Sequence, residues 1–229
     1  MEVSFYHKVE ARSVAANHPS LWNLGRRFES SRAYHLIFFS DLWLMNMPVR
    51  IFVAGDLHIP SRATMIHPKF IDILKSEKWD YVVLTGDLTI PEVLDYYVQF
   101  VKEPENLIVC RGNMDQIYLP EKPIFEVNNI KIGVFHGSGI YPRSDIPQLK
   151  QVADEMNVKI LLTGHSHLRL IHEDSEHLIL NPGTSSGASG GSSWTVDTGI
   201  LILTISSEDM IEIESYYLSN KGKLKYQKE

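Results

Sequence analysis

Five apolar segments of the sequence are each followed by polar residues of the types that bind metal ions. Two carboxylates, one amide and four imidazoles occupy these positions without a thiolate, which is the donor set of borderline or hard divalent ions. So many donors exceed the needs of one tetrahedral ion, but they suit two ions about 3.5–4 Å apart that share a bridging carboxylate. The pattern predicts a dinuclear metal site built from the following ligand set: Asp56, His58, Asp87, Asn113, His136, His165 and His167.

Each of these residues alone has an ordinary explanation, since a Gly-Asp pair is common in turns and a histidine beside a strand is usually solvated. One arrangement repeated at five segment ends, mostly with a glycine alongside, favours the metal site instead. Glycine lets the backbone reverse close to a bound ion or phosphate. The other histidines lack the arrangement and are interpreted as surface or helix residues: His7, His18, His35, His67, His172 and His177.

Alternating strand and helix patterns position the ligand set. Runs rich in Val, Ile and Leu predict buried strands at 50–54, 81–85, 106–110, 131–135 and 159–163. Helical spacing predicts helices over 67–77, 90–103 and 145–157. This succession is typical of a parallel α/β sheet, in which ligands bind beyond the carboxyl ends of the strands, where the whole ligand set falls.

The C-terminal part of the sequence changes to a β-rich pattern. One hairpin is predicted to turn near residues 173–175 and another near 207–209. The segment "GTSSGASGGSS" between them lacks the Gly-Lys-Ser/Thr of a phosphate-binding loop, and is predicted to be a flexible connector. The expected fold is therefore α/β, with a parallel-rich first half and an antiparallel, hairpin-rich second half.

Bulk composition limits the class of protein. At 229 residues and 44% hydrophobic the chain suits one well-buried domain, and a net charge of −6 without a basic stripe disfavours an extended nucleic-acid-binding surface. No run reaches the roughly 18 apolar residues of a membrane span, and no signal peptide is evident. Because Cys110 is the only cysteine, we expect a reducing compartment. With no membrane span in the sequence, we expect a cytoplasmic protein that does not associate with membranes.

The chain divides into a central domain and two flanking segments. The repeated arrangement lies within residues 47–219, preceded by an N-terminal extension of unknown role over 1–46 and followed by a C-terminal tail over 220–229. Two explanations are open for the extension. It is either an upstream start assignment without function, or a segment that packs its aromatic residues on the domain or on a second subunit, which would make the protein a homo-oligomer.

Five short motifs carry a resemblance to a known family. In order across residues 55–167 they are "GDLH", "GDLT", "GNMD", "FHG" and "GHSH". With this series the chain resembles the calcineurin-like metallophosphoesterases. Its size and its "NPGTSSG" resemble their small prokaryotic phosphodiesterase branch, whose fold the retromer scaffold subunit shares. The resemblance implies a four-layer α/β/β/α sandwich. It also implies Asp87 as the bridge, with the other ligands divided as follows: Asp56, His58 and His167 on one ion, and Asn113, His136 and His165 on the other.

Strand geometry agrees with part of this division. Side chains two residues apart on an extended segment share a face, which would place Asp56 and His58 on one ion. The same geometry would place His165 and His167 together, whereas the resemblance separates them, as expected if the chain is already turning there.

Metal-assisted hydrolysis of a phosphoester is the activity that such a site implies. Two divalent ions against two carboxylates leave a positive site suited to a small phosphoester substrate, and they lower the pKa of a bridging water so that a hydroxide attacks phosphorus. The expected ions are manganese, nickel, cobalt, iron or zinc, with manganese favoured, and calcium is disfavoured because imidazoles suit borderline ions more than a hard one. Asn113, Ser138 and Arg143 are candidates for contact with the substrate.

One position departs from the wider family. Its larger members carry a histidine directly after the motif asparagine, where it helps the leaving group, and here that position is Met114. A thioether has no proton to give, so help must come from water, a metal ion or Asp115. We therefore expect phosphodiesters as substrates. Two alternatives stay open: a phosphomonoesterase or protein phosphatase, and a non-catalytic metal-binding scaffold.

Overall fold

The computed structural model describes residues 47–190, 196–207, 210–219 and 222–229 of the chain. Residues 1–46, and with them both explanations of the N-terminal extension, lie outside the described residues. The described strands are β1 (Val49–Ala54), β2 (Tyr81–Leu84), β3 (Leu107–Val109), β4 (Ile124–Val127), β5 (Ile130–Phe135), β6 (Ile160–Thr163), β7 (Arg169–Glu173), β8 (Leu178–Pro182), β9 (Gly199–Ser207), β10 (Met210–Leu218) and β11 (Leu224–Lys228). The described helices are α1 (Pro68–Leu74), α2 (Glu92–Val98) and α3 (Ile146–Met156), with a short 3₁₀ turn at Pro104–Asn106.

Two mixed sheets form the centre of the fold. The first has the strand order β11-β10-β9-β1-β2-β3, and the second has the order β4-β5-β6-β8-β7. Strands β1, β2 and β3 run parallel, as do β5, β6 and β8, whereas the β7–β8 and β9–β10 hairpins are antiparallel. The predicted parallel half and hairpin half are confirmed, and each sheet combines strands from both.

Alternation of side chains along β1 explains the layering. Ile51 and Val53 point into the core between the two sheets, while Phe52 and Ala54 pack on the opposite side against α1 and α2. A third core lies between the second sheet and α3, where Leu149 packs with residues of β6 and β8. Three apolar cores thus separate four layers, which confirms the expected α/β/β/α sandwich.

The described helices lie near their predicted positions but are shorter. Side chains cap the starts of two of them: His67 Nδ1 accepts the backbone N–H of Lys69 at 3.4 Å before α1, and Asp145 Oδ1 accepts that of Gln148 at 3.1 Å before α3. Helix α3 ends at Asn157, which adopts the left-handed conformation with φ of 53°. Among the described residues, no helix is long and apolar enough to cross a membrane.

Residues 220–229, expected to be a tail, contain an additional strand. Strand β11 pairs antiparallel with β10, with Glu214 opposite Lys228 and Leu218 opposite Leu224. All of its side chains are exposed, so it carries no buried apolar pattern from which a strand could be predicted. The first sheet therefore extends beyond the boundary expected at residue 219.

Candidate metal centre

The ligand set comes together at the carboxyl ends of β1, β2, β3, β5 and β6. Nε2 of His58 lies 3.2 Å from Nε2 of His167 and 3.4 Å from Oδ2 of Asp87. Nε2 of His136 lies 3.4 Å from the same Asp87 oxygen and 3.2 Å from Oδ1 of Asn113. One carboxylate oxygen thus faces two imidazoles, and through them it connects the two groups of ligands that the resemblance separates.

Asp56 joins the two sheets within this cluster. Its Oδ1 lies 3.5 Å from Nε2 of His167 and accepts the backbone N–H of His165 at 3.1 Å. The ring of His165 packs edge-on against that of His136, with 5.1 Å between centroids. His165 is half-buried and Asn113 exposed, while the other members of the ligand set are buried: Asp56, His58, Asp87, His136 and His167.

The backbone at the strand ends is unusual, because most of the ligand set has positive φ. The left-handed residues and their φ angles are Asp56 (48°), His58 (49°), Asp87 (56°), His165 (66°) and His167 (57°). This region is costly for residues other than glycine, and it persists where the surrounding structure fixes it, often at functional sites. The chain therefore reverses sharply at each of these residues.

The left-handed backbone contradicts one prediction about Asp56 and His58. Asp56 and His58 were expected to share a face because they stand two apart on an extended segment, and that premise is wrong, since neither residue is extended. They nevertheless lie in one cluster, because the turn brings both beside His167. Between His165 and His167 the chain is turning, as Ser166 N donates to the carbonyl oxygen of Gly164 at 2.7 Å.

Two backbone carbonyls orient the imidazoles of this cluster. Nδ1 of His136 donates to the carbonyl oxygen of Thr85, and Nδ1 of His167 donates to that of Ala188, each at 2.7 Å. A carbonyl can only accept, so in the neutral rings the proton sits on Nδ1 and the Nε2 lone pair points into the cluster. There it meets other acceptors, which is unfavourable unless a cation lies between them.

The pKa values of the acidic residues reflect the same environment. Burial raises the pKa of Asp56 to about 7, an effect that the neighbouring His136 opposes. Burial is the largest single cause and acts to raise the pKa of Asp87, but the hydrogen bond and charge of His136, the N–H of Met114 and the charge of His58 together outweigh it. This carboxyl group therefore titrates below its ordinary value. Asp87 is therefore the carboxylate that stays ionised most readily.

The histidines divide into two kinds. Burial is the main cause that lowers the pKa of His58, His165 and His167 to about 4, so these imidazoles are neutral and able to bind a metal ion near neutral pH. Burial also acts to lower the pKa of His136, but the hydrogen bond to Asp87 and the charge of Asp56 raise it above its ordinary value. A cation is thus favoured beside Asp87, and a proton on His136 satisfies that demand when no metal ion does.

The geometry fits divalent metal ions. Two groups of donor atoms lie within 4.8 Å of one another, namely Asp56 with His58 and His167, and Asp56 with Asp87 and His136. Two atoms beside them, Asp56 Oδ2 and His58 Nδ1, are buried without a hydrogen-bond partner. Carboxylate and imidazole donors with unpaired atoms are what borderline divalent ions require.

Similarity to known proteins supports a metal centre. Residues 49–208 match the family described as the calcineurin-like phosphoesterase superfamily domain. The chain belongs to this superfamily. It is 34% identical over 167 residues to a probable metallophosphoesterase of Methanocaldococcus jannaschii, covering 72% of this chain and 82% of the relative. It is also 32% identical over 164 residues to one of Methanothermobacter thermautotrophicus, covering 69% and 87%.

A solved structure has the same fold. Wild-type Vps29 from Entamoeba histolytica in complex with zinc superposes with a TM-score of 0.71 and 28% identity, over 79% of this chain and 98% of that one. This similarity supports the superfamily fold, and the zinc is a ligand of that Vps29 structure.

Asp115 was considered as a group that helps the leaving group, but in this phosphoesterase it holds backbone N–H groups of two loops. Its Oδ2 accepts the backbone N–H groups of Asp87 and Gly112 at 2.9 and 2.8 Å, and its Oδ1 accepts that of Thr89 at 2.7 Å. Asp115 is buried, and these three backbone N–H groups occupy both of its oxygens. Asp115 therefore fixes the loops that carry Asp87 and Asn113, and its oxygens are engaged by backbone N–H groups rather than directed at a leaving group.

The glycine- and serine-rich segment was expected to be a flexible connector, and for its described residues this is wrong. Thr184 Oγ1 donates to the carbonyl oxygen of Asp56 at 2.8 Å, and Ser185 Oγ accepts the N–H of Gly55 at 3.1 Å. Ala188 supplies the carbonyl that orients His167. The only sequence signal for this role was the position of the segment directly after a buried strand.

The two further substrate-contact candidates lie in the loop after β5. Ser138 is half-buried, and no hydrogen bond joins it to the ligand set in the part of the chain that the structure describes. Arg143 is exposed and faces the centre, because a Cβ placed on Gly190 would lie 3.2 Å from its Nη1 and 3.4 Å from the ring of His167. The geometry therefore supports Arg143 more than Ser138.

Two histidines of the β7–β8 hairpin, His172 and His177, were interpreted from the sequence as surface or helix residues. His172 is partly exposed and lies 3.4 Å from Asp174, as expected for a surface residue. His177 is buried instead, with Nε2 at 3.1 Å from Asp154 on α3. It is not at the surface, but its partner is Asp154 rather than a member of the ligand set.

Proposed function

We propose that this phosphoesterase is a phosphodiesterase that uses two divalent metal ions bound by the ligand set. The observation that carries the proposal is the position of Asp87, whose Oδ2 lies 3.4 Å from one imidazole of each predicted group. Asp87 is suited to bridge the ions, with Asp56, His58 and His167 holding one of them. Asn113, His136 and His165 would hold the other.

Residues around the ligand set also have roles in this proposal. Bound divalent ions would supply Lewis acidity at the phosphoryl oxygens and a nucleophilic water at neutral pH. The carbonyls of Thr85 and Ala188 keep the Nε2 lone pairs of His136 and His167 directed inward, and Asp115 fixes the loop of Asp87. Arg143 contacts the substrate from the rim.

The surroundings of Asn113 support diesters as the substrate. Met114 beside it is 39% exposed and has no proton to donate, and the carboxylate of Asp115 is occupied by backbone N–H groups. Departure of an alkoxide from a monoester benefits from a general acid, which contributes about 10²–10⁴-fold in enzymes that have one. A site without such an acid suits substrates with better leaving groups.

Manganese is the proposed native metal, because the carboxylates and the amide oxygen suit it and the four imidazoles disfavour a purely oxygen-seeking ion such as calcium. The zinc complex of the similar Vps29 from Entamoeba histolytica supports a divalent ion but does not distinguish manganese from zinc. The buried and unreactive Cys110, whose pKa burial raises, is consistent with the proposed cytoplasmic location. Finding the chain only outside the cytoplasm in fractionated cells would contradict that location.

Two chromogenic substrates test the proposed function. The purified chain is assayed with bis(p-nitrophenyl) phosphate and with p-nitrophenyl phosphate, each in the presence of manganese, nickel, cobalt, iron or zinc. We expect faster turnover of the diester with at least one ion. Faster turnover of the monoester would favour the phosphomonoesterase, and no turnover with any ion would favour the non-catalytic scaffold.

A further inference from the structure

Two arginines flank the candidate metal centre at the segment that follows β8. Arg62 follows the left-handed turn of His58, and its backbone N–H donates to the His58 carbonyl oxygen at 2.8 Å. Its guanidinium donates from Nη1 to the carbonyl oxygen of Ser189 at 2.8 Å. This bond holds the side chain over the segment and uses one of the five N–H donors of the group.

Arg143 reaches the neighbouring residue of the same segment from the other sheet. Gly190 lies against both the Arg143 guanidinium and the ring of His167, since a Cβ there would be 3.2 Å from Nη1 and 3.4 Å from the imidazole carbons. Ser189 and Gly190 are consecutive. The two guanidiniums are thus brought to adjacent positions beside His167, on one margin of the centre.

Neither arginine is neutralised by a carboxylate within the described part of the chain. Both are exposed, and both act electrostatically on His167, while Arg62 also acts on His58 and Arg143 on His165. By contrast, Arg111 at the end of β3 has Glu121 at 3.5 Å. Two unpaired guanidiniums beside a metal centre are unusual in a chain with a net charge of −6, and they indicate an anionic ligand.

The opposite margin of the centre has a different character. Asn113 and the partly exposed thioether of Met114 line it, and Met114 is held there by its N–H, which donates to Oδ1 of Asp87 at 2.7 Å. Arg111, close to this pair in the chain, has Glu121 at 3.5 Å, whereas in the described residues the two guanidiniums on the side of Ser189 have no carboxylate at such a distance. A substrate bound at the centre therefore meets an asymmetric environment, with cations on one side and a neutral surface on the other.

We infer that Arg62 and Arg143 together bind a second phosphate group of the substrate, so that the preferred substrate is a phosphodiester with a further phosphate on the part that does not depart. This deepens the proposed function and rests on it. Guanidinium forks match phosphate oxygens with paired hydrogen bonds, which lysine cannot do. Arg62 is then a specificity-determining residue, and the leaving group lies toward Met114.

A matched pair of chromogenic diesters tests this inference. One is the p-nitrophenyl ester of thymidine 5′-phosphate, and the other is the same compound with a phosphate on its 3′-hydroxyl. The ratio of their kcat/KM values with manganese is the measured quantity. We expect the wild type to prefer the phosphorylated compound by about tenfold or more, and Arg62→Gln and Arg143→Gln each to reduce this ratio about tenfold.

Arg111→Gln is the matched control, because it removes the same charge from an exposed arginine that already has a carboxylate partner. It should retain the wild-type ratio. A wild type that hydrolyses both compounds equally would overturn the inference and leave the proposed function intact. An Arg111→Gln ratio as low as that of Arg62→Gln would also overturn it, since net charge alone would then explain the preference.

A binding measurement separates the inference from catalysis. Calorimetry of thymidine 3′,5′-bisphosphate and of thymidine 5′-phosphate, with and without manganese, requires no turnover. We expect the bisphosphate to bind more tightly, and Arg62→Gln to weaken it about tenfold while Arg111→Gln does not. If no diester is hydrolysed, the proposed function fails, and equal affinities of wild type and Arg62→Gln for the bisphosphate would overturn the inference as well.

Discussion

Nε2 of His58 lies 3.2 Å from Nε2 of His167, and the two rings are stacked at 23° with centroids 5.0 Å apart. Nδ1–H of His167 donates a hydrogen bond to the carbonyl oxygen of Ala188, so Nε2 of the neutral ring can only accept. Without an ion, His58 must carry its proton on Nε2 to avoid two facing lone pairs. A divalent ion accepts both Nε2 lone pairs at once, so this pair of histidines marks a ligand site more clearly than either residue alone.

Removal of metal should abolish activity. A chelator is expected to reduce hydrolysis of bis(p-nitrophenyl) phosphate to background, and manganese, nickel or cobalt should restore it better than calcium, because imidazole ligands suit borderline ions. The check is the initial rate after chelator is removed and each ion is added back. Full restoration by calcium would contradict the imidazole-rich ligand set.

Asp87→Asn should be the most damaging single change in the ligand set. It weakens both ions and removes the negative charge between two imidazoles, so we expect a loss of about 10³-fold, or about 4 kcal/mol of transition-state stabilisation. The rate at saturating manganese measures it, with folding checked by circular dichroism. His172→Ala is the control on a partly exposed histidine outside the centre, and an equal loss there would refute the division of the histidines.

Much of the site could be predicted because its signal repeats. Each member of the ligand set follows a buried apolar strand, and parallel strands bring their carboxyl ends to one edge, so positions such as Asp87 and His136 were visible without a structure. The parallel half and the hairpin half followed from such runs, whereas the four layers were implied by the family resemblance of the motifs. The position of a strand in the sequence, and of the ligand that follows it, is largely encoded in the residues of that strand.

The rest depended on contacts between distant segments. Asp115 looked available as an acid, and only the structure shows that backbone N–H groups from two loops occupy it. Ser185 and Ala188 lie in a segment whose composition predicts flexibility, and their order comes from partners more than 20 residues away. Left-handed backbone at Asp56 could not be predicted either, because tertiary contacts impose it against local preference.

Asp56→Asn should stabilise the metal-free chain at alkaline pH. Burial raises the pKa of Asp56 to about 7, against about 3.9 in an unfolded chain, so the folded state favours the protonated form and loses stability as pH rises through about 7. The neutral amide avoids that cost, which at about pH 8 is on the order of 4 kcal/mol.

Urea unfolding in the presence of chelator measures this difference at about pH 8 and at about pH 5, where it should be smaller. Manganese should reverse the order, since it stabilises the wild type but binds the variant poorly. A metal-free wild type that is as stable as Asp56→Asn at the higher pH would show that Asp56 does not hold a costly buried charge.

Met114→His should broaden the range of leaving groups. With no imidazole beside Asn113, the wild-type rate should fall steeply as the pKa of the leaving group rises, so aryl diesters should be hydrolysed faster than alkyl diesters. The histidine should flatten that dependence if its ring reaches the departing oxygen. A series of phenyl and alkyl esters at saturating manganese provides the test. A wild-type rate independent of leaving-group pKa would contradict the explanation of the diester preference.

The measurement that tests the central claim most directly is a titration of the metal-free chain with manganese while hydrolysis of bis(p-nitrophenyl) phosphate is followed. At protein concentrations above the dissociation constants, a dinuclear centre bridged by Asp87 should show no activity without metal and a maximum at two ions per chain. Full activity at one ion per chain would contradict the dinuclear site. No hydrolysis at any ratio would contradict the proposed phosphodiesterase.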